Sequence, residues 1–104
     1  MSVNRIIQKI TSALTGTFPY SLGGNLNTQI TVVNSAELTG GTLTFRVKTS
    51  ERGEFEDLDG ANSIDLTAAR VLTIENNRLY GLEVVSTATS GSATAVELEI
   101  NVWD

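Results

Sequence analysis

The sequence has 104 residues, a net charge of −5, no cysteine and no histidine. That is enough chain for one domain with a single core, with no disulfide or thiolate metal site to staple it and without the side chain best suited to proton transfer near neutral pH. The acidic balance and seven scattered basic residues argue against a nucleic-acid binder, which needs clustered cations for counterion release, and no run approaches the roughly 20 apolar residues of a membrane-spanning helix.

Residues 3–14 place Val3, Ile6, Ile7, Ile10, Ala13 and Leu14 at spacings of three and four, which predicts a short amphipathic helix with Ser2 as its cap and Gly16 beyond its end. The β-branched content of the stretch leaves an edge strand over residues 5–11 as the alternative. Gln8 and Lys9 interrupt the apolar run, so the stretch does not read as a signal peptide. Residues 15–27 hold the only proline, in Phe18-Pro19-Tyr20, followed by Gly23-Gly24. They read as a connecting arm in which Phe18 and Tyr20 are anchors, either covering the core or touching a partner. We therefore expect a helix or arm over residues 1–22 and a β-sandwich over residues 23–104. No charged residue occurs between Ile10 and Ala36, and every acidic residue lies at or after Glu37; an uncharged stretch of this length suits either a Thr/Ser/Asn-rich loop with a strand or a surface packed on another chain.

Beyond the arm the pattern is that of strands. Ile30 and Val32 alternate over residues 28–33, and Leu43, Phe45 and Val47 alternate with Thr42, Thr44, Arg46 and Lys48, so each stretch has one core face and one wet face. Shorter strands are expected around Phe55, through Ile64 and Leu66, and through Leu72 and Ile74, with a longer one over residues 78–87. Asn76-Asn77 looks like a two-residue hairpin turn, but parity argues against one. Direct pairing would set Ile74 opposite Leu79 and put Tyr80, Leu82 and Val84 on the wrong face. An odd-length loop, or strands in different sheets, would resolve the conflict. The last strand is the plainest: Val96, Leu98, Ile100 and Val102 alternate with Glu97, Glu99, Asn101 and Trp103. Together these elements predict an all-β antiparallel sandwich, of jelly-roll or immunoglobulin-like order.

Chemistry is sparse. Glu51, Glu54, Glu56, Asp57, Asp59 and Asp65 form one acidic cluster, and Asp57, Asp59, Asn62 and Asp65 hold oxygen ligands suited to calcium, but Gly60 comes too early for an EF-hand and no closing glutamate follows. The expected role is a solvated acidic rim. No base stands ready to activate the many serines and threonines, and the glycine pairs lack the lysine of a phosphate loop. We expect no catalytic residue, cofactor or metal. Trp103, on the glutamate face of the last strand, is a candidate contact residue.

The run Gly41-Thr42-Leu43-Thr44-Phe45-Arg46-Val47, the Arg52-Gly53-Glu54-Phe55 turn, Leu66-Thr67-Ala68-Ala69-Arg70-Val71-Leu72-Thr73-Ile74, the Tyr80-Gly81-Leu82 strand and the closing Gly91-Ser92-Ala93-Thr94-Ala95-Val96 run resemble the small β-sandwich virion proteins of tailed bacteriophages, the capsid decoration (cement) and fibre-base proteins. The resemblance covers residues 41–104 and implies a non-enzymatic structural role in the virion. It further implies copies that assemble as a homotrimer on a major capsid or other virion protein, without nucleic acid or membrane, after synthesis in the host cytoplasm. The expected partner-contact residues are Ile6, Ile10, Leu14, Phe18, Tyr20 and Trp103. The alternative is a receptor- or carbohydrate-binding module of a tail or fibre, with Trp103, Tyr20 and the acidic loop as a sugar platform.

Overall fold

The computed structural model describes residues 5–11, 13–57, 63–66, 71–90 and 93–104, with the main chain alone for residues 5–10, 89 and 90. These residues form strands β1 (Arg5–Ile10), β2 (Thr15–Asn25), β3 (Asn27–Val32), β4 (Leu38–Gly40), β5 (Thr42–Lys48), β6 (Glu56–Asp57), β7 (Ser63–Asp65), β8 (Val71–Ile74), β9 (Leu79–Thr87), β10 (Thr89–Ser90) and β11 (Glu97–Trp103), with one 3₁₀ turn at Ser35–Glu37. One sheet has the order β1-β11-β3-β8. A second has β2-β9-β5-β6, with β7 also on β5, and β4 pairs with β10 in a small third ladder. We call the larger two the β11 sheet and the β9 sheet.

All pairings are antiparallel, and one set of them nests: β1 lies on β11, β2 on β9, β3 on β8, and β5 on β6 and β7. The first half of the chain therefore runs back along the second half in reverse order, and successive pairs fall in opposite sheets. That is jelly-roll connectivity, which selects between the two orders the sequence left open. It also answers the parity conflict at Asn76-Asn77, because β8 and β9 belong to different sheets and were never hairpin partners. Asn76 takes a positive φ of 56° to make the crossing, a conformation asparagine tolerates.

The core sits between the sheets. Val96, Leu98, Ile100 and Val102 are fully buried, as are Leu43, Phe45, Leu82 and Val84 in the facing sheet, and Ile30, Leu22, Ile64, Leu66 and Leu79 are enclosed with them. Each aliphatic side chain so enclosed contributes about 1.5–3 kcal/mol relative to exposure.

Two expectations are corrected at the N-terminus. Residues 5–10 form the edge strand held as the alternative and not the helix, paired with β11 through all six positions. The residues that fit helical spacing are largely β-branched, and β11, central in its sheet, needs a ladder on both edges, so pairing overrides a marginal helix. Met1, Ser2, Val3 and the adjoining Asn4 lie outside the described residues. Nor is the stretch up to residue 22 a separate arm, because β1 and most of β2 are strands of the two sheets. Pro19 does not stop β2: it pairs opposite Glu83 on an edge strand, where a missing N–H leaves no ladder bond unmade. Thr11 closes this region, its hydroxyl accepting from Val96 N–H at 2.9 Å and donating to Ala13 O at 2.7 Å.

Candidate functional site

The described members of the acidic cluster do not gather into a site. Glu51, Glu54, Glu56 and Asp57 are exposed around the β5–β6 turn, and Asp57 lies 3.6 Å from the Arg46 guanidinium. Asp59 and Asn62 lie outside the described residues. Among the described residues, no three Asp or Glu side chains stand close enough to hold a metal ion.

On the outer face of the β9 sheet, opposite charges interleave. Arg46 on β5 reaches Glu83 on β9 at 3.3 Å and donates to Phe55 O at 2.8 Å, which ties the irregular 53–55 segment back onto the sheet. The Lys48 ammonium stands 5.7 Å from the centre of the Phe55 ring, and both side chains lie over Gly81, where a Cβ would stand 3.0 Å from Lys48 Cδ and 3.2 Å from Phe55 Cε1. A side chain there would have to push that lid aside, and Gly81 is buried beneath it although it faces outward.

The outer face of the β11 sheet differs. Glu97, Glu99, Asn101 and Trp103 alternate along its central strand, all half-buried, beside Gln29 and Thr31 on β3 and Thr73 and Val71 on β8. Val71 is 50% exposed and Val33 48%. With Ile30, Val32, Leu72 and Ile74 turned to the core, parity alone sends both valines outward, a signal present in the sequence and not used there. The turn after Val33 is held by Asn34, whose amide donates to Ala95 O and accepts from Glu97 N–H, both at 2.9 Å.

The residues expected to touch partners are divided among these surfaces. Leu14, Phe18 and Tyr20 fall on the core side of the β2 edge: Leu14 and Tyr20 pack against the core, and the Phe18 ring lies over Gly16, where a Cβ would stand 3.0 Å from Phe18 Cζ. The half-burial of Tyr20 pushes its phenol above the usual 10.0 by desolvation. Ile6 and Ile10 lie on β1, opposite Asn101 and Glu97. Trp103 is half-buried opposite Asn27, and the residue after it is tied down, Asp104 accepting from Leu26 N–H at 3.2 Å and pairing with Arg78 at 3.5 Å. Trp103 is thus on the outside of one sheet and Tyr20 on the inside edge of the other, so they do not form one stacking platform for a sugar.

At the same end, β2 bulges so that residues 22–24 stand opposite Tyr80 alone. Gly24 has a φ of +80° and presses on the Tyr80 ring, and Arg78 donates to its carbonyl at 2.6 Å.

No protein-family profile matches the sequence, and no curated protein matches it significantly. The fold itself is shared. The SPBc2 prophage-derived protein YomS superposes with a TM-score of 0.67 at 12% identity, over 100% of this chain and 96% of that one. A chain of the acid-stable capsid of Helicobacter pylori bacteriophage KHP30 superposes with a TM-score of 0.50 at 10% identity, over 99% of this chain and 90% of that one. The chain has a jelly-roll fold that phage and prophage proteins also use.

Proposed function

We propose that the protein is a non-enzymatic structural component of a phage particle, a capsid decoration or cement subunit that acts as a homotrimer and strengthens the lattice by protein–protein contacts. The observation that carries this reading is the end-to-end likeness to a prophage-derived protein and to a chain of a phage capsid; it is an argument from fold, and jelly rolls serve widely in viral capsids. The surfaces agree with it. The acidic residues are dispersed or paired with Arg46 rather than gathered in a cleft, while the outer face of the β11 sheet presents Trp103 and two exposed valines among polar neighbours, a mix suited to a protein contact. We assign the lattice contact to that face, with Ile6 and Ile10 on its edge strand, and give Leu14, Phe18 and Tyr20 the role of bracing the adjacent β2 edge. Binding a subunit to the assembled shell, and not to its dissociated parts, shifts the balance toward the shell by mass action.

The test uses shells of the phage that carries the gene, prepared without this chain. Added purified protein is expected to sediment with them at a fixed ratio and to raise their melting temperature. Protein that stays in the supernatant at every concentration overturns the proposal.

A further inference from the structure

Four edges bound the two main sheets, and they are protected unequally. In the β9 sheet, β2 carries Pro19 and the 22–24 bulge, while the opposite edge is broken into β6, two acidic residues long, and β7, three residues long. Proline, bulges, charge and shortness are the means by which proteins stop edge strands from pairing with other chains. The β11 sheet is less guarded: β1 carries the cations Arg5 and Lys9 and β8 is four residues long, but neither edge has a proline or a bulge. Strand β1 keeps an unbroken register with β11 over six residues, without proline or glycine, and β8 keeps one with β3 over four. Among the described residues no strand pairs with the second edge of either.

The ladder phase shows what these edges present. Thr11 N–H donates to Val96 O at 3.0 Å; in an antiparallel ladder every second residue faces the same neighbour, so residues 5, 7 and 9 bond to β11, and Ile6, Gln8 and Ile10 turn their N–H and C=O groups outward. Val33 N–H donates to Glu97 O at 2.8 Å. By the same rule residues 28 and 30 bond to residues 74 and 72, and Val71 and Thr73 turn their main-chain groups outward. Among the described residues no strand meets these groups, so two rows of open main-chain donors and acceptors lie at opposite sides of one sheet.

We infer that β1 of one copy pairs antiparallel with β8 of the next, so that the β11 sheet continues head to tail around a cyclic homo-oligomer. Strand direction permits it: β1, β11, β3 and β8 alternate, so β1 and β8 run oppositely, and copies rotated about an axis along the strands bring them together in the antiparallel sense. Charge selects it over pairing of β1 with β1. The strand Arg5–Ile10 holds two cations and no acid, so self-pairing gathers four cations, whereas β8, Val71–Ile74, carries no charge and stands in sequence between Arg70 and Glu75. Exposure agrees, because the half-exposed Val71 sits on the β8 edge, where an added strand would cover it. A contact between two different patches closes into a ring when the rotation allows. The inference rests on the structural reading for its biological setting, but its test needs no lattice and fails separately.

Gln8→Pro and Thr73→Pro each remove an outward N–H and leave the ladders to β11 and β3 intact, as Pro19 already does on β2. Sedimentation is read up to about 1 mM, where even a millimolar dissociation constant is visible, with circular dichroism and melting to verify the fold. The wild type is expected to assemble, each variant to be monomeric, and an equal mixture to form dimers, since each supplies the edge the other lacks. Should a proline variant misfold, Gln8→Cys and Thr73→Cys in this cysteine-free chain take its place. A bismaleimide is then expected to join the two variants to each other far faster than Gln8→Cys to itself. A wild type that stays monomeric, a Thr73→Pro variant that assembles as the wild type does, or preferential Gln8→Cys self-linkage overturns the inference.

Discussion

The two sheets share one core and differ in how they meet the outside. The β9 sheet is closed: Arg46 joins Glu83, Asp57 and the 53–55 segment, Phe55 and Lys48 cover Gly81, and its edges are blunted by Pro19, a bulge and short acidic strands. The β11 sheet is open, with half-buried polar residues, Trp103 and two exposed valines on its face and regular strands at both edges. Since burial of the inner rows is equally complete on both sides, folding does not require the difference. On the reading proposed above, the β11 sheet is the side available for contact, and the β9 sheet is the side finished against solvent.

The sharpest way to break this comparison is through the core it assumes to be common. Phe45→Ala in the β9 sheet is expected to cost about 3–5 kcal/mol and Ile100→Ala in the β11 sheet about 2–5 kcal/mol, a large share of the 5–15 kcal/mol typical of a whole domain. Urea unfolding followed by tryptophan fluorescence and by circular dichroism is expected to give one coincident transition in each variant. Two separate transitions would mean two sheets that do not share a core.

A smaller effect tests the closed face. Arg46→Ala is expected to cost roughly 1 kcal/mol, because the Arg46 side chain is 44% exposed and Asp57 83%, conditions under which ion pairs contribute little, and Glu83, 17% exposed, is its one largely covered acidic partner among the described residues. The difference from wild type is expected to shrink at high salt, and a cost that does not change with salt would assign the effect to the bond with Phe55 O instead. The smallest effect tests the open face. Val71→Thr keeps the β-branch, and its change in stability at low concentration is expected to stay within about 0.5 kcal/mol, while its self-association weakens. A large loss of stability in the monomer would show that Val71 serves the fold and not a contact.

Much of this architecture was legible because one side of each inner strand is buried and the other is not. The rows through Leu43, Phe45 and Val47 and through Val96, Leu98, Ile100 and Val102 were read correctly, and the parity conflict between Ile74 and Leu79 pointed to the sheet crossing that β8 and β9 make. Edge strands were harder. In β2 the proline and three glycines carry the local signature of a loop, and only the ladder to β9 overrides it. In β1 isoleucines at positions 6, 7 and 10 satisfy helical spacing as well as they satisfy a strand, and the deciding fact, that β11 needs a second neighbour, lies about 90 residues away in the sequence. The candidate contact residues were legible as types and not as places. Trp103 was placed on the correct face by alternation, whereas Phe18 and Tyr20, read within an arm, lie on the core side of a strand.

Nesting has a consequence for how the molecule comes into being. Arg5 meets Val102 and Thr15 meets Thr87, so on a ribosome the β9 sheet is incomplete until β9 has emerged and the β11 sheet until β11 has, and the earliest-made strands wait longest for their partners. Formation is expected to be slow for a chain of this size and to follow synthesis rather than accompany it. During that interval the isoleucine-rich strand Arg5–Ile10 is bare on both sides, and a chain stalled before β11 would be prone to aggregate.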